Sequence, residues 1–381
     1  MKVTIVAGAR PNFVKVAPII KTIKDAQKSV DIAYRLVHTG QHYDKKMSGD
    51  FFEELGIPDP DVNLMAGGGT QAEQTGNIMV KFEQDLVANP SDVVLVVGDV
   101  TSTMACTIVA KKLCIPVVHV EAGIRSGDMT MPEEINRIVT DSICDHFFTT
   151  SELATERLIN SGISENRIHF VGNTMIDTLL QNQHRLKPPE IWSDAGLAKG
   201  KYFVVTLHRP SNVDNIDNLT NLLNVILENT KHPVVFPVHP RTKKVLDSID
   251  YVNDRLLMVE PLGYLEFIYL VKHAKAVITD SGGITEETTV MNVPCLTLRS
   301  STERPETITI GTNELVGTDP INLVPLLRKL DKGEWKKSDI PPLWDGKTST
   351  RIVNRIIKLY GGGESKTLSE KTSPIDHALI K

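Results

Sequence analysis

Twice along this chain of 381 residues, short apolar runs alternate with amphipathic helical stretches, and that alternation leaves few folds open. In the first half the runs are Lys2–Ala7, Val30–Val37, Val93–Val97, Val117–Val120, His146–Thr149 and Ile168–Val171, with a helix expected from about Phe13 to Ala26. In the second they are Tyr202–Leu207, Val234–Val238, Leu256–Val259, Ala276–Thr279 and Cys295–Leu298. Runs that are apolar almost throughout suit strands buried on both faces, and the helices between them cover those faces. The fold class is α/β, with two Rossmann-like doubly wound parallel sheets. The clearest helical stripe in the second half is Ile216, Leu219, Leu222, Leu223, Ile226 and Leu227.

Paired prolines at Leu186-Lys-Pro-Pro-Glu190 end the first half. The division expected is a domain over 1–186, a linker over 187–200, a second domain over 201–347, a terminal helix over 348–361 and a flexible tail over 362–381. The terminal helix has Ile352, Val353, Ile356 and Ile357 as its stripe. The length suffices for two cores, and two domains imply a cleft.

Hydrophobic residues make up 41% and charged residues 23%, which suits a folded chain and not a disordered one. The formal charge of -5 offers no basic surplus to nucleic acid or to an anionic membrane, so neither is an expected partner. An anionic ligand must therefore meet local cations. The opening Met-Lys-Val-Thr-Ile-Val-Ala-Gly is too short in its apolar core for a signal peptide, and no run reaches the length of a membrane span. The expected location is the cytoplasm. Cys106, Cys114, Cys144 and Cys295 lack metal-ligand spacing and read as four buried thiols, so no metal is expected.

In doubly wound sheets, ligands gather outside the carboxyl ends of the strands. The first half brings there Arg10 with Lys15, the stretch His38 to His42, Asp99 and Glu121; the second brings His208-Arg209, His239, the Ser281 turn and Arg304. In Val277-Ile-Thr-Asp-Ser-Gly-Gly-Ile-Thr-Glu-Glu287 a strand delivers Ser281, Gly282 and Gly283 to a helix start, which either offers its N–H groups to a phosphate or is a plain strand–turn–helix junction with Ser281 as N-cap. Glu286 and Glu287 follow, either capping that helix or turning outward to accept hydrogen bonds from vicinal hydroxyls such as those of a ribose.

Asp99 and Glu121 end neighbouring strands, and clustered carboxylates raise one another's pKa, giving a base and an acid near neutrality. Asp99 hands over to a helix expected to be capped by Thr101 or Ser102, and Glu133 and Glu134 open another after Pro132. Gly67-Gly-Gly-Thr70 reads as a flexible connector. A pyrophosphate cradle in one half and carboxylates in the other point to a nucleotide-activated small molecule whose bond to phosphate is made or broken. A glycosyltransferase, an elimination enzyme and a sugar-nucleotide epimerase all fit.

Eight stretches taken in order narrow this: Gly8-Ala-Arg-Pro-Asn-Phe-Val-Lys15, His38-Thr-Gly-Gln-His42, Gly98-Asp99, His119-Val-Glu-Ala-Gly-Ile-Arg125, Pro132-Glu-Glu-Ile-Asn-Arg137, Leu207-His-Arg209, Thr279-Asp-Ser-Gly-Gly-Ile-Thr-Glu-Glu287 and Thr302-Glu-Arg-Pro-Glu306. Together they resemble the non-hydrolysing UDP-N-acetylglucosamine 2-epimerases, in register from residue 1 to about residue 360. The resemblance implies a GT-B fold, with two Rossmann-like domains facing a central cleft. It implies reversible epimerisation at carbon 2 of a UDP-sugar, by anti elimination of UDP to 2-acetamidoglucal and re-addition. It also implies a homodimer and no cofactor.

By motif position the resemblance assigns proton transfer to Asp99, Glu121 and Glu133, and a catalytic histidine near the phosphates to His208. It assigns UDP binding to Arg10, His239, Ser281, Gly282, Gly283 and Glu287, the last on the ribose, and places Lys15 and Arg137 along the cleft. Gln41, His42 and Gln71 fall where bacterial relatives hold an activating UDP-sugar. Ala9, Asn12, Val100 and His208-Arg-Pro-Ser-Asn212 depart from the commonest pattern, leaving the acid–base set intact but altering the expected wall near the sugar and pyrophosphate. A 3-acetamido or uronic acid sugar nucleotide is therefore an alternative substrate.

Overall fold

The computed structural model describes residues 1–40, 52–213, 215–238, 240–249 and 251–362. Two compact units share the chain: the first takes Met1–Gln181 and resumes at Pro342, and the second takes Asn182–Pro341.

The first unit is built on a seven-stranded parallel sheet: β1 (Lys2–Ala7), β2 (Ala33–His38), β3 (Val62–Asn63), β4 (Val93–Val97), β5 (Val117–Val120), β6 (His146–Thr149) and β7 (Ile168–Phe170). Its order is β3-β2-β1-β4-β5-β6-β7. β1 pairs with β2 through Ile5 opposite Leu36 and with β4 through Ile5 opposite Leu95. Order therefore reverses between β1 and β4, the position at which a doubly wound sheet opens for a ligand. Every residue of β4 and of β5 is buried, which is why these runs carry no polar alternation. Phe82, Phe147, Ile78 and Leu86 are among the helix and strand side chains that close the core on one face.

The second unit repeats the plan with β8 (Phe203–Thr206), β9 (Val234–Pro237), β10 (Leu256–Val259), β11 (Ala276–Thr279), β12 (Cys295–Thr297) and β13 (Asn313–Leu315). The order β10-β9-β8-β11-β12-β13 puts its reversal between β8 and β11. Leu219, Leu222, Leu223, Ile226 and Leu227 of the helix Ile216–Glu228 pack on this sheet, while Ile216, at the first turn, is 38% exposed and lies outside the stripe.

Several boundaries shift for local reasons. The first helix begins at Arg10 because proline at its second position supplies a fixed φ and needs no hydrogen-bond partner there. β2 begins at Ala33, since Val30 is still accepted by Ala26 at the end of that helix. The two- and three-residue strands β3 and β13 escape a search by apolar runs because neither is long enough to show a period.

The helix Thr348–Tyr360 packs on the first unit, with Ile352, Val353, Ile356 and Ile357 buried. Asp177 receives the Thr348 and Ser349 N–H groups at 3.0 and 2.7 Å and the Ser349 hydroxyl at 2.7 Å. That is an N-terminal anchor made by a carboxylate from another element. The tail expected from 362 lies, from 363 onward, outside the described residues.

Three cysteines are buried, and burial pushes the Cys106 and Cys144 thiols well up and Cys295 to about 12. Cys114 is exposed, contrary to expectation, because it turns the chain after the helix Thr101–Lys112 with a left-handed φ of 59°. Among the described residues, no helix is long and apolar enough to cross a membrane, and no group of three or more His, Cys, Asp or Glu side chains is placed to hold a metal ion.

Candidate active site

In the first unit the candidate residues meet at the carboxyl ends of β1, β4 and β5. β4 runs into Gly98, whose φ of 68° turns the chain and whose missing side chain leaves room for its neighbours. A Cβ there would lie 3.4 Å from Asn12 Nδ2, 3.5 Å from Lys15 Nζ and 3.9 Å from Glu121 Oε2. Asp99 follows, held by a backbone bond from Asn136 Nδ2 to its carbonyl at 2.8 Å and by an ion pair with Arg137. Glu121 leaves β5 with a left-handed φ of 69°, a strained setting for a glutamate, and pairs with Lys15 at 2.5 Å while 3% exposed.

Each of these two carboxylates has a cation beside it, Arg137 at Asp99 and Lys15 at Glu121. Glu133 and Glu134 part company. Glu134 is buried, accepting from Ser126 N–H and hydroxyl, Gly127 N–H and Arg137 Nη1; these bonds hold its pKa below the usual range although burial, the largest influence, opposes them. Glu133, one position earlier in the helix Pro132–Ile143, is half-buried.

Behind the carboxylates lies a support that sequence reasoning missed. His119, fully buried in β5, reaches the Gly98 carbonyl through Nε2 at 2.8 Å and Asp141 through Nδ1 at 2.7 Å. Asp141 also accepts Gly123 N–H and Arg125 Nη1. Burial alone would raise its pKa, but His119 and Arg125 hold it low. The only signal in the sequence was an acid on the inward face of a helix.

Asn12 points inward: its Oδ1 accepts Gly8 and Ala9 N–H at 3.1 and 3.0 Å, and its Nδ2 donates to Val97 O at 3.2 Å. The amide ties the β1 turn to β4. The helix after Asp99 starts at Thr101 with Val100 as its N-cap and no side-chain cap, so neither Thr101 nor Ser102 plays that part. Arg10 is exposed at the first position of its helix, and His38 is buried, accepting Gly40 N–H, with burial holding its pKa down to about 4. Thr70 is an N-cap and not a loose connector: its hydroxyl accepts Glu73 N–H, and Glu73 reaches back to Thr70 N–H. Gln71 comes within 3.4 Å of the Thr101 hydroxyl, two residues from Asp99. Gln41 and His42 lie outside the described residues, as does His239.

In the second unit the candidates meet at the ends of β8 and β11. Asp280, fully buried directly after β11, accepts the His208 and Arg209 backbone N–H groups and Asn212 Nδ2 and lies 2.7 Å from His208 Nδ1. Burial pushes its carboxyl up, yet the bonds from His208 and Asn212 outweigh that and its pKa is lowered. Asp280 thus fixes which His208 nitrogen faces outward, and the His208 side chain is 64% exposed. Its position before the Ser-Gly-Gly turn was visible, its role was not.

Ser281 donates its N–H to Thr279 Oγ1, and the following helix, Ile284–Val290, has Gly283 as its N-cap, so Ser281 does not cap it. Glu286 and Glu287, both in the first turn of that helix, are buried. Glu286 forms an ion pair with Arg304, and Glu287 accepts the Tyr264 hydroxyl at 2.8 Å. Burial, with the Glu286 charge adding to it against the Tyr264 bond, pushes the Glu287 carboxyl up to about 8.

Residues 24–357 match the family model described as UDP-N-acetylglucosamine 2-epimerase. The chain belongs to that family. The UDP-N-acetylglucosamine 2-epimerase of Methanocaldococcus jannaschii is 41% identical over 374 residues, covering 95% of this chain and 100% of the relative. The UDP-2,3-diacetamido-2,3-dideoxy-D-glucuronate 2-epimerase of Pseudomonas aeruginosa is 38% identical over 364 residues, covering 94% and 100%. The crystal structure of the M. jannaschii epimerase in complex with UDP-GlcNAc and UDP superposes with a TM-score of 0.82, covering 94% of this chain and 100% of that one. The two parallel-sheet units are thus those of a GT-B-type epimerase.

Proposed function

We propose that the chain interconverts UDP-N-acetylglucosamine and UDP-N-acetylmannosamine without hydrolysis. The observation that supports this most is the placement of Asp99 and Glu121 at adjacent strand ends in a chain similar throughout to an epimerase solved with UDP-GlcNAc and UDP. In the proposed reaction a carboxylate of the set Asp99, Glu121 and Glu133 takes the carbon-2 proton. The electron pair left behind forms the carbon 1–carbon 2 double bond as the carbon 1–oxygen bond breaks and UDP departs. UDP then adds back while a proton returns to the opposite face of carbon 2. The carbon-2 proton is not adjacent to a carbonyl, so a base alone faces a very high barrier, and stabilising charge on the departing UDP lowers it.

His208, oriented by Asp280, serves the phosphates, together with Arg10, His239, Ser281, Gly282 and Gly283. Glu287 serves the ribose. Lys15 and Arg137 hold their carboxylates in position, and Gln41, His42 and Gln71 are the candidates for a second, activating UDP-sugar. A homodimer in the cytoplasm completes the proposal.

The relative named for a 2,3-diacetamido glucuronate, at 38% identity, supports a second reading in which the sugar carries those substituents. Incubation with each nucleotide sugar, followed by proton NMR, tests both. The proposal predicts an equilibrium mixture of the two UDP-hexosamines, with the sugar still attached to UDP. Irreversible release of free N-acetylmannosamine and UDP would overturn it in favour of hydrolysis, and turnover of the diacetamido glucuronate alone would favour the second reading.

A further inference from the structure

Beside the Ser281-Gly282-Gly283 turn lies an arginine that the motifs did not single out. Arg299 sits two residues beyond β12, is 7% exposed, and has Nε buried without a hydrogen-bond partner. Its Nη2 forms an ion pair with Glu303 Oε1 at 3.6 Å, which leaves Nε as the unpartnered nitrogen. Its Nη1 faces Gly282, where an added Cβ would come within 3.2 Å of it, closer than carbon ordinarily approaches. Burial lowers the pKa of this guanidinium, and the charge of Arg209, at the end of β8, lowers it further; Glu303 and Asp280 act the other way. Asp280, however, is already engaged by His208, Arg209 N–H and Asn212.

A buried guanidinium with an unmade bond and a second guanidinium near it is unfavourable by itself. The same arrangement becomes favourable when an anion arrives, because a guanidinium offers donors in a fixed fork that matches phosphate oxygens. We infer that Arg299 grips the diphosphate of a nucleoside diphosphate at Gly282, and that residue 282 lacks a side chain so that Arg299 and the phosphate can meet there. This rests on the proposed handling of UDP and adds to it a residue that stabilises the leaving group as its charge develops.

The test is a calorimetric titration of UDP, uridine and inorganic pyrophosphate into the parent chain, Arg299→Gln, Arg299→Lys and Gly282→Ala. Arg299→Gln should weaken UDP by about 10- to 100-fold, the range for a charge-assisted hydrogen bond, while leaving uridine unchanged. Arg299→Lys keeps the charge but loses the fork and should fall between. Gly282→Ala should weaken UDP in the parent but add little in the Arg299→Gln background, because both changes disturb one contact. Folding is checked by the thermal transition of each variant. If Arg299→Gln unfolds, Arg299→Lys takes its place, and parent-like UDP affinity in a folded Arg299 variant overturns the inference.

The two proposals fail separately. Epimerase activity with Arg299-independent UDP binding removes only the inference. Arg299-dependent binding of pyrophosphate without epimerisation removes only the proposed reaction.

Discussion

Both units place polar residues at the same point of the same topology, yet the carboxylates at the two openings find different partners. At the β1–β4 opening of the first unit, Asp99 meets Arg137, Glu121 meets Lys15, and Asp141 meets Arg125 and His119. At the β8–β11 opening of the second, Asp280 is satisfied largely by backbone N–H groups, His208 and Asn212, and Arg299 keeps a buried nitrogen without a partner. Sites of the first kind hold carboxylates rigidly for proton transfer, and sites of the second kind are completed by an anion. Under the proposed function, carbon-2 chemistry belongs to the first unit and the leaving group to the second.

The largest test of that division is Glu121→Gln or Asp99→Asn. Each should lower turnover by roughly a thousandfold, within the range for a lost acid or base, while UDP affinity stays within about threefold. A parallel fall in UDP affinity would break the division.

Stability should separate the units next. Lys15→Met leaves Glu121, 3% exposed, without that cation, and should destabilise by roughly 3–5 kcal/mol. Arg299→Gln removes an incompletely satisfied cation and should cost under about 1 kcal/mol. Denaturant titrations compare the two, and equal losses would show that Arg299 is as well satisfied as Lys15.

A smaller effect concerns Glu287. Its folded pKa of about 8 lies above the usual carboxylate value, so the folded state holds a proton that the unfolded state has released. Stability should therefore decline as pH rises from about 4.5 towards about 8, by at most about 1.4 kcal/mol per unit, and change little from this group outside that window. Glu287→Gln should flatten the profile, and an unchanged slope would show that the Tyr264 hydrogen bond keeps the carboxylate ionised.

Much of this plan was legible in the sequence, because fully buried parallel strands announce themselves as apolar runs. Asp99, Glu121, His208 and the Ser281 turn were placed after such runs, and the structure puts them just beyond β4, β5, β8 and β11. The pairings were not legible. Arg137 meets Asp99 across 38 positions and Lys15 meets Glu121 across 106, distances over which the local pattern is silent. Asp280 and Asp141 were hidden for a related reason: a buried carboxylate that orients a histidine looks, in sequence, like any polar residue near a turn or helix. Cys114 and Glu121 owe their settings to left-handed backbone that residue type does not reveal.

The most direct test of the central claim is solvent exchange at carbon 2. UDP-N-acetylglucosamine incubated with the chain in deuterated water should return both epimers carrying one deuterium at carbon 2, with the carbon-2 proton signal lost. Epimers that form while retaining the original hydrogen, or no exchange at any enzyme concentration, would contradict proton abstraction and the division of labour built on it.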